Sequence, residues 1–306
     1  MQHYHSNGKL LLFGEYFVLQ GAQSLSIPTR FGQGLTVSSQ AFFVKGLNWK
    51  SYDHENNLWF EAFFDERLDI KHTTDAAVAR TLQTILMVAK EQNPDFLNEA
   101  DYYEAQTHLQ FPRHWGLGSS SSLIAGIAQW AKVDAFELFF NSFKGSGYDI
   151  ACAISELPVL YRLADNKPVW QKVTFNPSFA DNISYIYLEK KQDSRQGIQH
   201  FKQKSSLWDK EVDKISSITQ SALKCNEVGE FMALMDEHEA IVAQALELDK
   251  VKDLYFADFE GSVKSLGAWG GDFVMAVSHL PFNEIKNYFE TKGFATIVAH
   301  TDMIKG

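Results

Sequence analysis

The sequence has very little cysteine and no long run of apolar residues. Cys152 and Cys225 are the only cysteines among its 306 residues. They lie far apart and lack metal-ligand spacing, so we expect two structural thiols in a reducing compartment. No apolar stretch reaches the length of a membrane span, and residues 1–6 have neither a basic region nor an apolar signal core. We therefore expect a cytoplasmic protein with no membrane partner.

Positive charge is also scarce. The chain has 28 Lys and Arg against 38 Asp and Glu, which gives a net charge of -10 and a pI near 5.5. This balance argues against the broad basic surface that nucleic acids require, so we expect no nucleic-acid partner. An anionic ligand would have to be bound by local donors. The 24 Phe and 7 Trp supply core material for one large domain or two smaller ones.

A glycine- and serine-rich segment lies between a predicted strand and a predicted helix. Apolar and polar residues alternate over 105–111, which indicates a half-buried strand, and apolar residues recur at helical spacing from 123 to 133. Residues 116–122 between them read G-L-G-S-S-S-S. A helix N-terminus offers N–H donors and a positive dipole end, and glycines allow close approach, so the segment suits a phosphate. An ordinary turn with a serine N-cap fits this segment equally well.

Two further glycine segments and one charged pair accompany it. Lys9 and Glu15 flank an apolar run, either as solvated strand ends or as site residues. Residues 145–151, G-S-G-Y-D-I-A, lead into an apolar helix and put Asp149 in its first turn, where the helix dipole favours a carboxylate. Residues 266–272, L-G-A-W-G-G-D, precede a predicted strand.

The rest of the chain reads as mixed helix and strand. Pro28 is expected to break one extended segment, and Thr73 or Thr74 is expected to cap a helix at 74–91. His238 is assigned to the solvated face of a charge-rich helix. A soft boundary divides the chain into domains 1–165 and 166–306. Further expected elements are an antiparallel hairpin of strands 35–50 and 58–64, and helices at 195–204, 208–225, 230–248 and 281–292.

Taken together, the glycine segments closely resemble those of the GHMP kinases, the superfamily of galactokinase, homoserine kinase, mevalonate kinase and phosphomevalonate kinase. The resemblance extends from about Ser6 to the closing strand and is strongest to the mevalonate and phosphomevalonate kinase branch. It implies an α+β fold of two domains, an N-terminal α+β domain and a C-terminal ferredoxin-like domain. The matching segments are G-K-L-L-L-F-G-E-Y-x-V-L-x-G (8–21), P-x-x-x-G-L-G-S-S-S-S (112–122), G-S-G-Y-D-I-A (145–151) and L-G-A-W-G-G-D (266–272).

The resemblance also implies a function and a set of site residues. The expected activity is ATP-dependent phosphorylation of a small molecule, mevalonate or phosphomevalonate in isoprenoid biosynthesis, with Mg²⁺ as a cofactor. Asp149 would be the catalytic base, with Lys9 beside it, and Ser120 would be a magnesium ligand. Glu15 and Lys144 would bind the substrate, and a homodimer stays open as the oligomeric state. The residues expected to line the ATP site are Gly116, Leu117, Gly118, Ser119, Ser120, Ser121, Gly267, Gly270 and Gly271.

Several features limit or qualify this interpretation. No G-x-x-x-x-G-K-[ST] and no dinucleotide fingerprint occur, which disfavours a P-loop NTPase or a dinucleotide enzyme. Ser6-Asn7 replaces the usual Ala-Pro of the first motif. Trp269 either stacks on a ligand or packs, and Glu137, a candidate for a second magnesium carboxylate, fits a helix surface better. A decarboxylase of the same superfamily and a non-catalytic protein with this fold are the alternatives.

Overall fold

The computed structural model describes residues 1–40, 45–97, 102–190, 201, 208–267, 269 and 271–305. Its strands are β1 (Gln2–Phe13), β2 (Ser24–Gln40), β3 (Gly46–Tyr52), β4 (Leu58–Phe64), β5 (Ile70–Thr73), β6 (Tyr102–Leu109), β7 (Val159–Ala164), β8 (Lys167–Lys172), β9 (Ile183–Tyr187), β10 (Ser262–Ser265), β11 (Phe273–Val277) and β12 (Ile297–Ala299). Its α-helices are α1 (Ala76–Gln92), α2 (Ser119–Ala131), α3 (Ala135–Ser142), α4 (Tyr148–Ile154), α5 (Asp209–Lys224), α6 (Val228–Leu246), α7 (Val251–Tyr255), α8 (Phe282–Thr291) and α9 (His300–Met303), and short 3₁₀ helices cover Phe17–Gln20 and Ala180–Asn182.

The chain forms two compact units that interleave along the sequence. Strands β1 and β2 each run from one unit into the other, so neither unit is a single continuous segment. The expected domains 1–165 and 166–306 stay a prediction. The first unit consists of Met1–Gly8, Phe31–Arg113 and Leu117–Ile154, and the second of Lys9–Arg30, His114–Gly116 and Ser155–Gly306.

The first unit contains a sheet with the strand order β5-β4-β3-β6-β2. The β3–β6 pair is parallel, and the other neighbours in this part of the sheet are antiparallel. Along β3 the side chains of Leu47, Trp49 and Ser51 are buried and their neighbours are less so, as the period of two requires for a sheet with one covered face. Helices α1 to α4 pack against one another in this unit.

The second unit contains an antiparallel sheet with the strand order β10-β11-β9-β12. Helices α6 and α7 pack against β10, and α8 packs against β9 and β12. Apolar side chains of α7, α8 and the sheet meet in one core, which includes Val274 of β11, Phe256 and Phe289. The rings of Phe256 and Phe289 meet edge to face with centroids 4.9 Å apart. This layout of helices on an antiparallel sheet confirms the ferredoxin-like arrangement predicted for the C-terminal part of the chain.

Many of the predicted elements are confirmed. The hairpin of β3 and β4 turns at Asp53, whose N–H donates to the Asn57 carbonyl at 3.0 Å. Its first strand begins at Gly46, and the predicted strand 35–50 is wrong because Leu35 belongs to β2, which pairs with β6. Helices α1, α2, α5, α6 and α8 lie within a few residues of their predicted positions. Apart from residue 201, the predicted helix 195–204 lies outside the described residues. No helix in the described part of the chain combines the length and the apolar character of a membrane span.

The prediction that Pro28 breaks an extended segment is wrong. Pro28 lies inside β2, between residues Ser24 to Ser26, which pair with β7, and the stretch from Gln33, which pairs with β6. Proline lacks an N–H and is tolerated in a sheet where these ladders do not need that donor. Its carbonyl still accepts a hydrogen bond from the Lys305 N–H at 2.9 Å.

The predicted cap of α1 is also wrong. Asp75, not Thr73 or Thr74, is the N-cap, and its Oδ1 accepts hydrogen bonds from the N–H groups of Ala77 at 2.9 Å and Val78 at 3.1 Å. A carboxylate at this position satisfies two donors of the first turn and interacts favourably with the helix dipole. Three polar residues in a row made the choice ambiguous in the sequence.

Replacing the cap tests this assignment. Asp75→Ala should lower the free energy of unfolding by about 1 kcal/mol, because two helix N–H donors lose their acceptor. Glu91→Ala, at an exposed position in the last turn of the same helix, should leave stability unchanged or slightly raise it. Urea unfolding of both variants is the measurement, and equal stability of Asp75→Ala and the native chain would contradict the capping role.

Candidate active site

The glycine-serine segment enters α2 through two glycines with positive φ angles. Gly116 has φ 67° and Gly118 has φ 85°, the left-handed region that glycine adopts without a steric penalty. Gly118 is the N-cap of α2, and no side-chain cap is seen among the described residues. The alternative of an ordinary turn with a serine N-cap is therefore wrong. The N–H donors of a first turn have no acceptor within the helix, so this helix start suits an anionic ligand.

The four serines of this segment divide into two pairs. The Ser121 hydroxyl donates to the Gly118 carbonyl at 2.8 Å, and the Ser122 hydroxyl donates to Gln33 Oε1 at 2.7 Å, so both stabilise the start of the helix. Ser119 is half-buried and Ser120 is exposed. Leu117 between the glycines is fully buried and anchors the turn in the core. The segment therefore presents its first two serines, and the other two hold its shape.

Asp149 lies in the first turn of α4, as predicted. Gly147, with φ 85°, precedes the helix and accepts a hydrogen bond from the Ile150 N–H at 3.0 Å. Helices α2 and α4 pack against each other within the first unit. Lys144 is exposed in the loop before this helix, and Glu137 is exposed on α3. The unit thus holds the predicted base and the predicted phosphate segment on two neighbouring helices.

The described residues contain no group of three His, Cys, Asp or Glu side chains that could hold a metal ion. Magnesium ions in phosphoryl-transfer sites bind to one or two protein oxygens, to substrate phosphates and to water. The exposed Ser120 hydroxyl at the start of α2 fits such an ion, which would arrive with the nucleotide.

The second unit contains the first motif, which turns sharply after β1. Lys9 is half-buried on β1. Gly14 has φ 97°, and a Cβ there would lie 2.5 Å from the Ser24 Cβ, so only glycine fits. Tyr16 follows with φ 61°, a strained value for a bulky residue. The backbone conformation of the motif therefore depends on a glycine at position 14 and on a strained conformation at Tyr16.

Glu15 lies in a buried cluster with Lys264, His238 and Glu239, all less than 3% exposed. Lys264 Nζ donates to Glu15 Oε1 at 2.5 Å, and Glu239 Oε1 accepts from the Ser265 N–H at 3.0 Å. The expectation that His238 lies on a solvated face is wrong, because its element, α6, packs against β10 and buries it.

The electrostatics of the cluster follow from burial. Desolvation raises the pKa of Glu15 to about 7, although the Lys264 ammonium group beside it lowers this pKa. Desolvation likewise raises the pKa of Glu239 to about 7, again opposed by Lys264. Burial lowers the pKa of His238. Its Nε2 accepts the Gly14 N–H at 2.9 Å, so the 3.3 Å approach of that nitrogen to Glu15 Oε2 is not a pair of opposite charges.

The third glycine segment continues from this cluster. Gly267 has φ 71°, and Gly271 is buried, while Gly270 lies outside the described residues. Trp269 is buried: its backbone N–H donates to the Tyr16 hydroxyl at 3.1 Å, and its Nε1 donates to the Asp249 carbonyl at 3.0 Å. Of the two roles open to Trp269, packing is favoured by this geometry.

Gly116 also contacts the far end of the third glycine segment. A Cβ at Gly116 would lie 2.3 Å from Asp272 Oδ2, so the Asp272 carboxyl group packs directly against the glycine backbone. The Asp272 N–H donates to the Lys190 carbonyl at 2.8 Å, and its own carbonyl accepts from Leu188 at 2.8 Å. Gly116 and Asp272, at the ends of two segments predicted to bind ATP, are therefore in contact within the second unit.

Sequence reasoning missed Lys264, Glu239 and the buried position of His238. Lys264 lies in the short strand Ser262–Ser265, two residues before the third glycine segment. A lysine inside a strand whose every residue is buried requires a charged partner, and this signal could have been used. The identity of that partner, Glu15, could not be read from local sequence because 249 positions separate the two residues.

A comparison of two glycines tests the contact with Asp272. Gly267→Ala should lower the free energy of unfolding by about 1–2 kcal/mol through backbone strain alone, since no described atom lies within 4 Å of its Cβ position. Gly116→Ala should cost more, because Asp272 must also move. In an Asp272→Gly background the cost of Gly116→Ala should fall to that of Gly267→Ala. A urea-unfolding cycle that showed no coupling between positions 116 and 272 would contradict the contact.

Comparisons with known proteins agree on the fold. No family model matches the chain, and no curated protein matches it. Among solved structures, phosphomevalonate kinase of Streptococcus pneumoniae, in complex with phosphomevalonate and AMPPNP, is 16% identical with a TM-score of 0.70, covering 97% of this chain and 99% of that one. Lactococcus lactis galactokinase with galactose is 12% identical with a TM-score of 0.69, covering 100% and 95%. Methanococcus jannaschii mevalonate kinase is 17% identical with a TM-score of 0.66, covering 97% and 96%. The chain therefore has the two-domain fold of the GHMP kinases, as its sequence predicted.

Proposed function

We propose that this protein is an ATP-dependent kinase that phosphorylates a small molecule, with mevalonate or phosphomevalonate as the preferred acceptor. The observation that carries the proposal is the start of α2. Two left-handed glycines, an exposed Ser120 and a helix N-terminus without a side-chain cap among the described residues form an anion-binding element. The fold shared with three small-molecule kinases supports the same conclusion.

In this proposal the residues from Gly116 to Ser121, with the third glycine segment, bind the phosphates of ATP. Backbone N–H groups and the helix dipole compensate negative charge without rearranging, which is most of what phosphoryl transfer requires of a protein. Ser120 would hold a magnesium ion together with the phosphates. When bound, that ion would offset the negative charge of the phosphates.

Asp149 is proposed as the base that orients the acceptor hydroxyl. The acceptor oxygen attacks the γ-phosphorus, the bond from that phosphorus to the β–γ bridging oxygen breaks, ADP leaves, and the hydroxyl proton passes to Asp149. Lys9 is proposed to offset the negative charge near the acceptor. Lys144, exposed ahead of α4, would contact an anionic acceptor. Glu15, whose carboxylate is bonded to Lys264, would support the acceptor side of the site from within the protein.

Two alternatives make different products. A decarboxylase of the same superfamily would also consume ATP but would release carbon dioxide and inorganic phosphate from a phosphorylated mevalonate. A non-catalytic protein with this fold would bind ligands without turnover. The combination of an open helix N-terminus and a carboxylate on the neighbouring helix favours the kinase over the non-catalytic protein.

An acceptor panel with a base variant tests the proposal. ADP release should require mevalonate or phosphomevalonate and should be slow with homoserine or sugars. Asp149→Asn should lower kcat with the hydroxyl acceptor by about 100-fold or more, the scale of general-base catalysis, while ATP still binds. Normal turnover by Asp149→Asn would contradict the base assignment, and the absence of ADP release with every acceptor would contradict the kinase.

The proposed magnesium ligand has its own test. Ser120→Ala should raise the Mg²⁺ concentration required for half-maximal activity, because one oxygen ligand is lost. Ser122→Ala is the matched control, since its buried hydroxyl bonds to Gln33 and its loss should lower stability without changing the Mg²⁺ response. An identical Mg²⁺ response of Ser120→Ala and the native protein would remove Ser120 as a ligand.

A further inference from the structure

We propose that Lys264 is a positioning residue for the nucleotide. It joins the first motif to the third glycine segment, residues 266–272, and fixes the start of that segment for ligand binding. The inference rests on the proposed kinase function, because it assumes that this segment contacts ATP.

The first argument is the environment of Lys264. Its side chain is fully buried in β10, and it donates to Glu15 Oε1 at 2.5 Å and to the Ser265 carbonyl at 3.0 Å. Its Nζ also lies 5.7 Å from the centre of the Phe13 ring. Taking an ammonium group and a carboxylate out of water is costly, and apolar residues of the same volume would often serve stability as well. We therefore attribute this buried pair to the local geometry that it imposes and not to a gain in stability.

The second argument is where the pair acts. Ser265, next to Lys264, donates its N–H to Glu239 on α6, and the Leu266 N–H donates to the Phe273 carbonyl at 3.0 Å. Leu266 is the first residue of the third glycine segment. The cluster thus fixes the point at which the chain leaves β10 and enters the segment.

A second connection fixes the segment from inside. Tyr16 follows Glu15 in the sequence, and its hydroxyl accepts a hydrogen bond from the Trp269 N–H. Tyr16 keeps a strained backbone, which persists only where surrounding contacts impose it. Two adjacent residues of the first motif therefore hold the glycine segment, one through Lys264 at its start and one at its middle.

The third argument is the charge of the cluster. Three elements contribute the groups that face Lys264: Glu15 from the first motif, His238 and Glu239 from α6, and the backbone of Ser265 from β10. Lys9 also acts on Glu15. His238 is neutral, so two carboxylates face one buried ammonium group, and the cluster is balanced only when one carboxyl group carries a proton. Loss of that proton above about pH 7 leaves an uncompensated buried charge beside the segment.

The experiment measures the binding of AMPPNP with Mg²⁺ by calorimetry, which needs no knowledge of the acceptor. Lys264→Met should raise the Kd at least about 10-fold, a loss of roughly 1.4 kcal/mol of binding free energy. Lys292→Met is the matched control, because Lys292 forms a half-exposed ion pair with Asp258 at 2.7 Å in the same unit, and its Kd should equal that of the native protein. Native Kd in Lys264→Met would overturn the proposal.

A pH series with a second variant covers the case in which Lys264→Met fails to fold. The native Kd should rise between pH 6 and pH 8 as the cluster loses its proton. Glu239→Gln keeps an acceptor for the Ser265 N–H and leaves one carboxylate facing one ammonium group, so the pH dependence should be reduced relative to the native protein. Equal pH dependence in the two proteins would overturn the inference. If the native protein does not bind AMPPNP, the proposed function fails; if it binds and the variants match it, only the role of Lys264 fails.

Discussion

The first turn of an α-helix has N–H donors that the helix itself cannot satisfy, and α2 shows what this protein does with them. Gly118 begins the helix in a left-handed conformation, and no side chain caps it in the part of the chain that the structure describes. The hydroxyls of Ser121 and Ser122 turn inward to hold the turn, and Ser120 stays exposed. We propose that an anion completes this helix start. The proposed roles of Asp149, Lys9 and the third glycine segment all depend on a phosphate group lying there.

In the second unit, the third glycine segment has few side chains of its own and is held in place by other residues. Buried polar groups take that role: Glu15 and Lys264 form a pair, and the Tyr16 hydroxyl binds the Trp269 backbone. Burying a polar group is costly unless it has a hydrogen-bond or charge partner. Each of these groups therefore favours the local structure in which its partner is in place. Binding by the glycine segment and the protonation of a distant carboxyl group are coupled in this account. In this account the first motif supports the third glycine segment and also contributes residues to the proposed ATP site.

Sequence patterns predicted the elements whose signals are local. The helix after residues 116–122, the helix with Asp149 in its first turn, and the strand after the third glycine segment were all predicted, because turn chemistry and periodicity act over a few residues. The errors concern residues whose surroundings come from distant parts of the chain. Pro28 continues β2 because two different partner strands meet that strand on either side of it. His238 looked solvated in a charge-rich helix, yet α6 packs against β10. Lys264 received no role, because its partner lies 249 residues earlier.

The central claim is that the protein transfers the γ-phosphate of ATP to a small acceptor, and phosphorus NMR of a reaction mixture tests it most directly. With ATP, Mg²⁺ and mevalonate, the spectrum should show ADP and a new phosphomonoester; with phosphomevalonate as the acceptor, it should show ADP and a new diphosphate. Stoichiometric inorganic phosphate in place of a phosphorylated product would indicate a decarboxylase or a hydrolase. An unchanged ATP spectrum with both acceptors would contradict the account.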